Sequence, residues 1–169
     1  LGIDPFVVHV PGTLVLQDVF LFSGSLRNNI TLHSPVSEEE VQNALEMSCA
    51  DSFIDELPNK MDEPVSERGS TFSAGQRQLL AFARTIAHNP SIFVLDEATA
   101  NIDTKTEKLI QKSIENVSTG RTTLIIAHRL STIRHADVIF IIHNGRIIER
   151  GNHKALMELG GYYSRLNAV

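Results

Sequence analysis

From Pro90 onward the chain alternates short apolar, strand-forming runs with amphipathic helical stretches, and this alternation constrains the fold more than any other feature. Ile92-Phe93-Val94-Leu95 is an apolar run of strand length, of the kind that can be covered on both faces in a parallel sheet. A helix is expected over about Thr104 to Val117, with Leu109, Ile110, Ile114 and Val117 as its buried stripe and Gly120 where a helix-ending glycine belongs. Thr122 to Ala127 reads as a second strand, followed by a short helix from about Ser131. Val138 to His143 and Arg146 to Glu149 read as a hairpin turned at Asn144-Gly145, and the tail after Asn152 reads as helical. Strand, helix, strand, helix, strand specifies an α/β fold, a parallel sheet wrapped by helices, and in such sheets ligands bind at the carboxyl ends of the strands.

The preceding stretch, about Ser37 to Ala87, reads as mostly helical. Ser37 followed by Glu40 has the form of a capping box, in which each side chain caps the other's backbone N–H. Pro58 and Pro64 bracket a loop-like stretch from Asn59 to Glu63. A helix from about Ala74 to His88 carries Leu79, Leu80, Ala83, Ile86 and Ala87 along one side. The net charge of −5, with no basic stripe, argues against a nucleic-acid surface. Cys49 is the only cysteine, so the 169 residues hold no internal disulfide, and a reducing compartment fits. The longest strand-like apolar run, Val138 to Ile142, falls far short of the roughly 20 residues of a membrane-spanning helix.

Two strands end in reactive groups, the first in Asp96 and Glu97, the second in His128. One carboxylate of such a pair can hold Mg²⁺ on a phosphate while its neighbour orients or deprotonates an attacking water, and a histidine can hydrogen-bond a terminal phosphate. The plainer alternative is that Asp96-Glu97 caps the next helix and that His128 is an ordinary polar residue. The segment Phe72-Ser73-Ala74-Gly75-Gln76-Arg77-Gln78 weighs on the choice. Ser73 with Gln76 is again a capping-box pattern, and Ala74 and Gly75 leave the helix start bare of side chains. A bare helix N-terminus with free N–H groups is an anion site, to which Ser73 adds a hydroxyl. Cap and phosphate contact use different groups, so both readings can hold together.

Here the chain resembles the ATP-binding cassette (ABC) proteins. Phe72 to Gln78 is similar to their signature motif, Phe93 to Glu97 to their Walker B strand, and Asn101-Ile102-Asp103 to the D-loop. His128 in Ile126-Ala127-His128-Arg129 resembles the switch histidine, and Gln17 in Val15-Leu16-Gln17-Asp18 the Q-loop glutamine. Glu67-Arg68-Gly69 is similar to the segment preceding the signature in exporters of multidrug and lipid type. The motifs run in order from about Val15 to Leu166. The resemblance implies part of a P-loop NTPase (RecA-like) parallel sheet together with the family's α-helical subdomain: residues 1–22 a Q-loop remnant of the core, 23–89 the helical subdomain with the signature, and 90–169 the rest of the ATPase core.

By the same resemblance the cofactors are ATP and Mg²⁺. Asp96 and Gln17 would attend the metal, Glu97 would polarise the attacking water, and His128 and Gln17 would contact the γ-phosphate. Ser73, Ala74, Gly75 and Gln76 would form the face that reaches ATP held by a second nucleotide-binding domain, arranged head to tail as a homo- or heterodimer, with Asp103 across that interface. The other implied partners are transmembrane domains on the same polypeptide, and the implied place is the cytoplasmic face of the cell membrane. Phe20-Leu21-Phe22 reads either as core or, as in the family, as a surface facing the membrane domain.

Three departures from the family pattern stand out. Ala74 replaces the usual glycine, which a helical backbone tolerates and a positive φ does not. Phe72 replaces leucine, a change of packing. No G-x-x-x-x-G-K-[ST] occurs, so the loop whose N–H groups and lysine cradle phosphates is missing from the sequence. The chain begins at Leu1 without an initiator Met and is expected to be the C-terminal portion of a larger transporter subunit, inactive by itself. The alternative is a regulatory module that uses the signature face without hydrolysis, against which Glu97 argues. Chromosome-maintenance ATPases of the superfamily carry long coiled coils before the signature, and Ser37 to Phe72 is too short and lacks heptads for one.

Overall fold

The computed structural model describes the backbone of residues 12–15 and, in full, residues 19–66, 69–96, 102–127 and 129–168. The chain forms two compact units, Leu1–Ile126 and Ala127–Val169.

In the first unit, strands β1 (Gly12–Val15), β4 (Ile92–Asp96) and β5 (Thr122–Ile126) form a parallel sheet in the order β1-β4-β5. The register pairs Val15 with Leu95 and Asp96 with Ile126, so the carboxyl ends of all three strands lie at one edge of the sheet. Phe93 and Leu95 are fully buried, whereas Ile92 and Val94 are half-buried and Leu124 and Ile126 are about half exposed. On β4 the face of Phe93 and Leu95 is fully buried and the face of Ile92 and Val94 partly covered, whereas β5 alternates partly covered and exposed residues at the two-residue side-chain period of a strand.

Between β1 and β4 lies a helical layer. Two-residue strands β2 (Gly24–Ser25) and β3 (Pro64–Val65) pair antiparallel and frame α1 (Leu26–Thr31), α2 (Glu38–Ser48), α3 (Asp51–Ile54) and a 3-10 turn at Lys60–Asp62. The capping box at Ser37 and Glu40 is formed as expected. Two features differ from the sequence reading. Helix α1, capped by Ser25, is too short for a periodic signal, and the stretch Asn59 to Glu63 is partly 3-10 rather than open loop.

Helix α4 (Ala74–Ala87) is the spine of this unit. Leu79, Leu80, Ala83, Ile86 and Ala87 are buried as expected, and so are Ala81, Phe82 and Thr85, because α1, α2, α5 and β1 all pack around the helix. The Phe82 ring meets Phe93 of β4 edge to face at 6.1 Å, which ties the helical layer to the sheet. Helix α5 (Thr104–Ser118) buries Ile110, Ser113, Ile114 and Val117 and ends before Gly120, whose φ of +76° is the left-handed conformation that glycine takes at a helix end.

The second unit contains α6 (Leu130–Ile133), the antiparallel hairpin β6 (Ile139–His143) and β7 (Arg146–Gly151), α7 (His153–Leu159) and α8 (Tyr162–Asn167). Its turn residues Asn144 and Gly145 both have positive φ, as a two-residue hairpin turn requires. The core is Ile139, Leu156 and Tyr163, with the Tyr163 hydroxyl 2.8 Å from His153 Nδ1. Among the described residues no helix is long and apolar enough to cross a membrane.

Candidate functional site

The signature segment is built by its own local hydrogen bonds. Ser73 has an extended backbone, its Oγ accepts from Gln76 N–H at 3.1 Å, and its N–H donates to Gln76 Oε1 at 2.9 Å. The capping box consumes one lone pair of Ser73 and one oxygen of Gln76. It leaves the Ser73 hydroxyl proton and the Gln76 Nε2 donors for other partners, together with the N–H groups of Ala74 and Gly75, which no intrahelical acceptor can reach. Phe72, just before the cap, is buried in the core against Phe53 at 6.2 Å, and its carbonyl accepts from Arg77 Nη1 at 2.6 Å. The phenylalanine is a packing change, as the sequence suggests. Ala74 opens the helix with an exposed side chain and no positive φ, so its methyl fits the local backbone.

Gly75 is different. It is buried, and a Cβ placed there would overlap Thr106 Cγ2 and stand 3.3 Å from Ile102 Cγ2 and Thr106 Cβ. The glycine is demanded by space and not by φ: the first turn of α4 rests directly on the first turn of α5. Asp103 caps α5, its Oδ1 accepting from Lys105 N–H and Thr106 N–H at 3.0 Å each. Hydrogen bonds from the Thr106 side chain first, then from its N–H and that of Lys105, hold the Asp103 carboxyl below its ordinary range. The structure thus brings two groups of expected site residues, 73–76 and 103, to adjacent helix starts. The sequence reading missed Thr106 and did not foresee that it and Ile102 seat Gly75, because the contact depends on how two helices about thirty residues apart pack.

Asp96 is the last residue of β4, half-buried at the carboxyl edge of the sheet. Gln17, Glu97 and His128 lie outside the described residues, as do Glu67 and Arg68. In the chain these three follow Val15 by two residues, Asp96 by one and Ile126 by two, each just past the carboxyl end of a strand. Among the described residues no cluster of three or more His, Cys, Asp or Glu could hold a metal. The residues present do fit an anionic nucleotide with its metal: a helix start bare of side chains, a hydroxyl with a free proton, and a carboxylate at the sheet edge.

Phe20, Leu21 and Phe22 divide between the two roles considered for them. Leu21 is fully buried, while Phe20 and Phe22 are 48% and 52% exposed and meet edge to face at 5.1 Å. The Arg84 guanidinium lies over the Phe22 ring, 5.7 Å from its centroid.

Comparison with known proteins gives concordant results. The family described as "ABC transporter" matches residues 11–100. The chain is 56% identical, over 92% of its length, to a putative ABC transporter ATP-binding protein, exp8, of Streptococcus pneumoniae, and covers 27% of that protein. It is 52% identical over 90% of its length to the probable multidrug resistance ABC transporter ATP-binding/permease protein YheH of Bacillus subtilis, covering 23% of it. It is 45% identical over 90% of its length to an ATP-dependent lipid A-core flippase of Shewanella oneidensis, covering 26% of that protein. The chain therefore spans about a quarter of the length of these relatives. A bacterial Atm1-family ABC exporter with ATP bound has a similar structure, with a TM-score of 0.83 and 39% identity over 94% of this chain and 28% of that one.

Proposed function

This chain belongs to the ABC transporter family, and from that membership we propose that it is the signature-bearing part of the ATP-hydrolysing domain of an exporter, the engine that couples ATP hydrolysis to export of a substrate of multidrug or lipid type. The observation that carries the reading is the start of α4: a capping box at Ser73 that spares the anion-binding groups, seated through Gly75 on the Asp103-capped start of α5.

Bound MgATP would supply the terminal phosphoryl group and the metal charge that makes it reactive. In this proposal the chain's residues divide the work by place. Asp96, at the sheet edge, would help hold Mg²⁺ together with Gln17, Glu97 would act as base toward the attacking water, and His128 and Gln17 would hydrogen-bond the γ-phosphate. At the helix edge the Ser73 hydroxyl, the N–H groups of Ala74 and Gly75 and the Gln76 amide face ATP bound by a second nucleotide-binding domain, and Asp103 lies along the same interface. Residues 1–22 and 90–169 are assigned to the catalytic core and 23–89 to the helical subdomain. The membrane domains are assigned to the same polypeptide, and the site to the cytoplasmic face of the membrane. The sequence lacks a G-x-x-x-x-G-K-[ST] loop, so by itself this chain has the groups for catalysis without those that grip the phosphates.

The test is made in the full-length transporter. Glu97→Gln keeps MgATP binding and abolishes steady-state hydrolysis; turnover within a few-fold of wild type would remove Glu97 as the base.

A further inference from the structure

The backbone of Phe20–Phe22, three to five residues after Gln17, is held by side chains from two other elements. Asn29 of α1, 2% exposed, makes a two-sided pair with Phe22: its Oδ1 accepts from Phe22 N–H at 2.8 Å, and its Nδ2 donates to the Phe22 carbonyl at 2.8 Å. The same Nδ2 donates to the Ser25 carbonyl at 3.0 Å. Arg84, in the last turn of α4, completes the grip. Its Nε donates to the Asn29 carbonyl at 2.7 Å, its Nη1 and Nη2 to the Phe20 carbonyl at 3.2 and 3.3 Å, and its Nη2 also to Asn29 Oδ1 at 3.3 Å. From the other side Leu21 rests on Gly69, where a Cβ would stand 3.2 Å from Leu21 Cβ and Cγ.

One planar guanidinium therefore joins three things: the segment leaving Gln17, the helix α1 that pairs with it, and the far end of the helix that begins at the signature cap. Arg84 lies eleven residues beyond Ser73, about 16 Å along one continuous α-helix. A helix buried on nearly all sides, as α4 is, transmits a displacement of one end to the other as a rigid rod. We infer that Arg84 and Asn29 are positioning residues that clamp Phe20–Phe22 to α4, so that the signature cap and the exposed Phe20–Phe22 pair move as one body. The link to nucleotide rests on the function proposed above; the clamp itself does not. A fork is required because three acceptors, the backbone carbonyls of Phe20 and Asn29 and the Asn29 side-chain oxygen, must be met from one side chain, which a compact ammonium group cannot do in this geometry.

Hydrogen exchange on the full-length transporter tests this, with Phe22 N–H as the reporter. Arg84→Lys keeps the charge at the helix end and removes the fork; Asn29→Ala removes the acceptor for Phe22 N–H and both Nδ2 bonds. Without nucleotide, each variant is expected to speed exchange in residues 19–25 by roughly tenfold while α2 and α5 stay as protected as in wild type. At saturating Mg·AMP-PNP the wild-type segment is expected to change its exchange by at least about threefold, and Arg84→Lys to lose that response. Unchanged exchange in both variants without nucleotide, or a rise spread evenly over α2 and α5, would overturn the clamp. A nucleotide response that is missing in wild type or intact in Arg84→Lys would overturn the coupling. Failure of the wild-type protein to bind Mg·AMP-PNP would overturn the proposed function and the coupling with it, while the nucleotide-free comparison still decides the clamp.

Discussion

Replacing Gly75 by alanine sets two effects of known size against each other. Alanine favours the helix by up to about 1 kcal/mol over glycine, less at a second helical position than in the interior. Against this, the new methyl overlaps Thr106 Cγ2 and crowds Ile102 Cγ2 at 3.3 Å, in a first turn buried against α5. Overpacking of this kind costs about 1–3 kcal/mol. The expected net loss is therefore about 1–2 kcal/mol, or a few degrees in the melting temperature of a domain of this size. Thr106→Ser is the relieving change, because it deletes Cγ2 and keeps the hydroxyl that bonds Asp103. Alone it costs about 0.5–1.5 kcal/mol for the lost methyl. Combined with Gly75→Ala, the two are non-additive by about 1–3 kcal/mol in the rescuing direction. The assay is a double-mutant cycle in the full-length transporter, read by thermal unfolding and by ATP turnover. Gly75→Ala is expected to cut turnover about tenfold or more, since small misplacements of a contacting group are costly, and Thr106→Ser to restore most of it. Additivity within about 0.5 kcal/mol would refute the packing argument. Recovery of the melting temperature without recovery of turnover would show that the glycine is needed by what approaches from outside the chain and not by Thr106.

Other expectations follow from the same geometry. His128→Ala in the full-length protein should lower turnover strongly, and rates near wild type would remove it from the γ-phosphate. Calorimetry on this chain alone should find weak or no MgATP binding; micromolar affinity would contradict the role given to the missing phosphate loop. Ser73→Ala should destabilise α4 by about 1 kcal/mol through loss of its cap, whereas Ser73→Asp should keep the helix yet weaken hydrolysis in the full-length transporter by placing a negative charge at the proposed anion site; equal losses of stability in both variants would refute the separation of the two roles. The Asp103 carboxyl titrates below the ordinary 3.8, because its charged form accepts the hydrogen bonds at the start of α5. Its folded-state pKa is depressed, so the cap contributes fully above the unfolded value and is lost as pH falls through the folded one. A carboxyl-carbon NMR titration with a midpoint at or above 3.8 would contradict this.

What was legible in the sequence follows the range of the interaction. The caps at Ser37 and Ser73, the Asn144-Gly145 turn and the glycine after α5 are set within four or five residues, and the buried stripes of α4 and α5 repeat at helical spacing. Each could be read off the chain. Helix α1 could not, because six residues give no period. The open face of β5 could not either, since an apolar run looks alike whether one face or two are covered. The site divides the same way. Ser73 and Gln76 announce themselves by their spacing, whereas Thr106, Arg84 and Asn29 are ordinary helix residues whose importance appears only when α4 is seen lying on α5 and reaching back to Phe20.

This pattern bears on how the signature segment tolerates change. Ser73 and Gln76 each serve twice, once in holding the helix start and once in the groups they leave free, so substitutions there couple folding to any contact with phosphate. Ala74 serves neither packing nor a special backbone angle, which accounts for its departure from the glycine usual in the family. Gly75 is fixed from inside by Thr106, before any ligand is considered. Two adjacent positions in one motif are thus constrained by unlike causes, open solvent at one and a neighbouring helix at the other. It follows that a larger residue at position 74 should leave stability within about 0.5 kcal/mol of wild type, as surface substitutions away from packed features do. Any loss of turnover it causes would then report the proposed contact with a second domain, uncontaminated by misfolding. If Ala74→Ser lowered the melting temperature as much as Gly75→Ala, the distinction drawn between the two positions would be wrong.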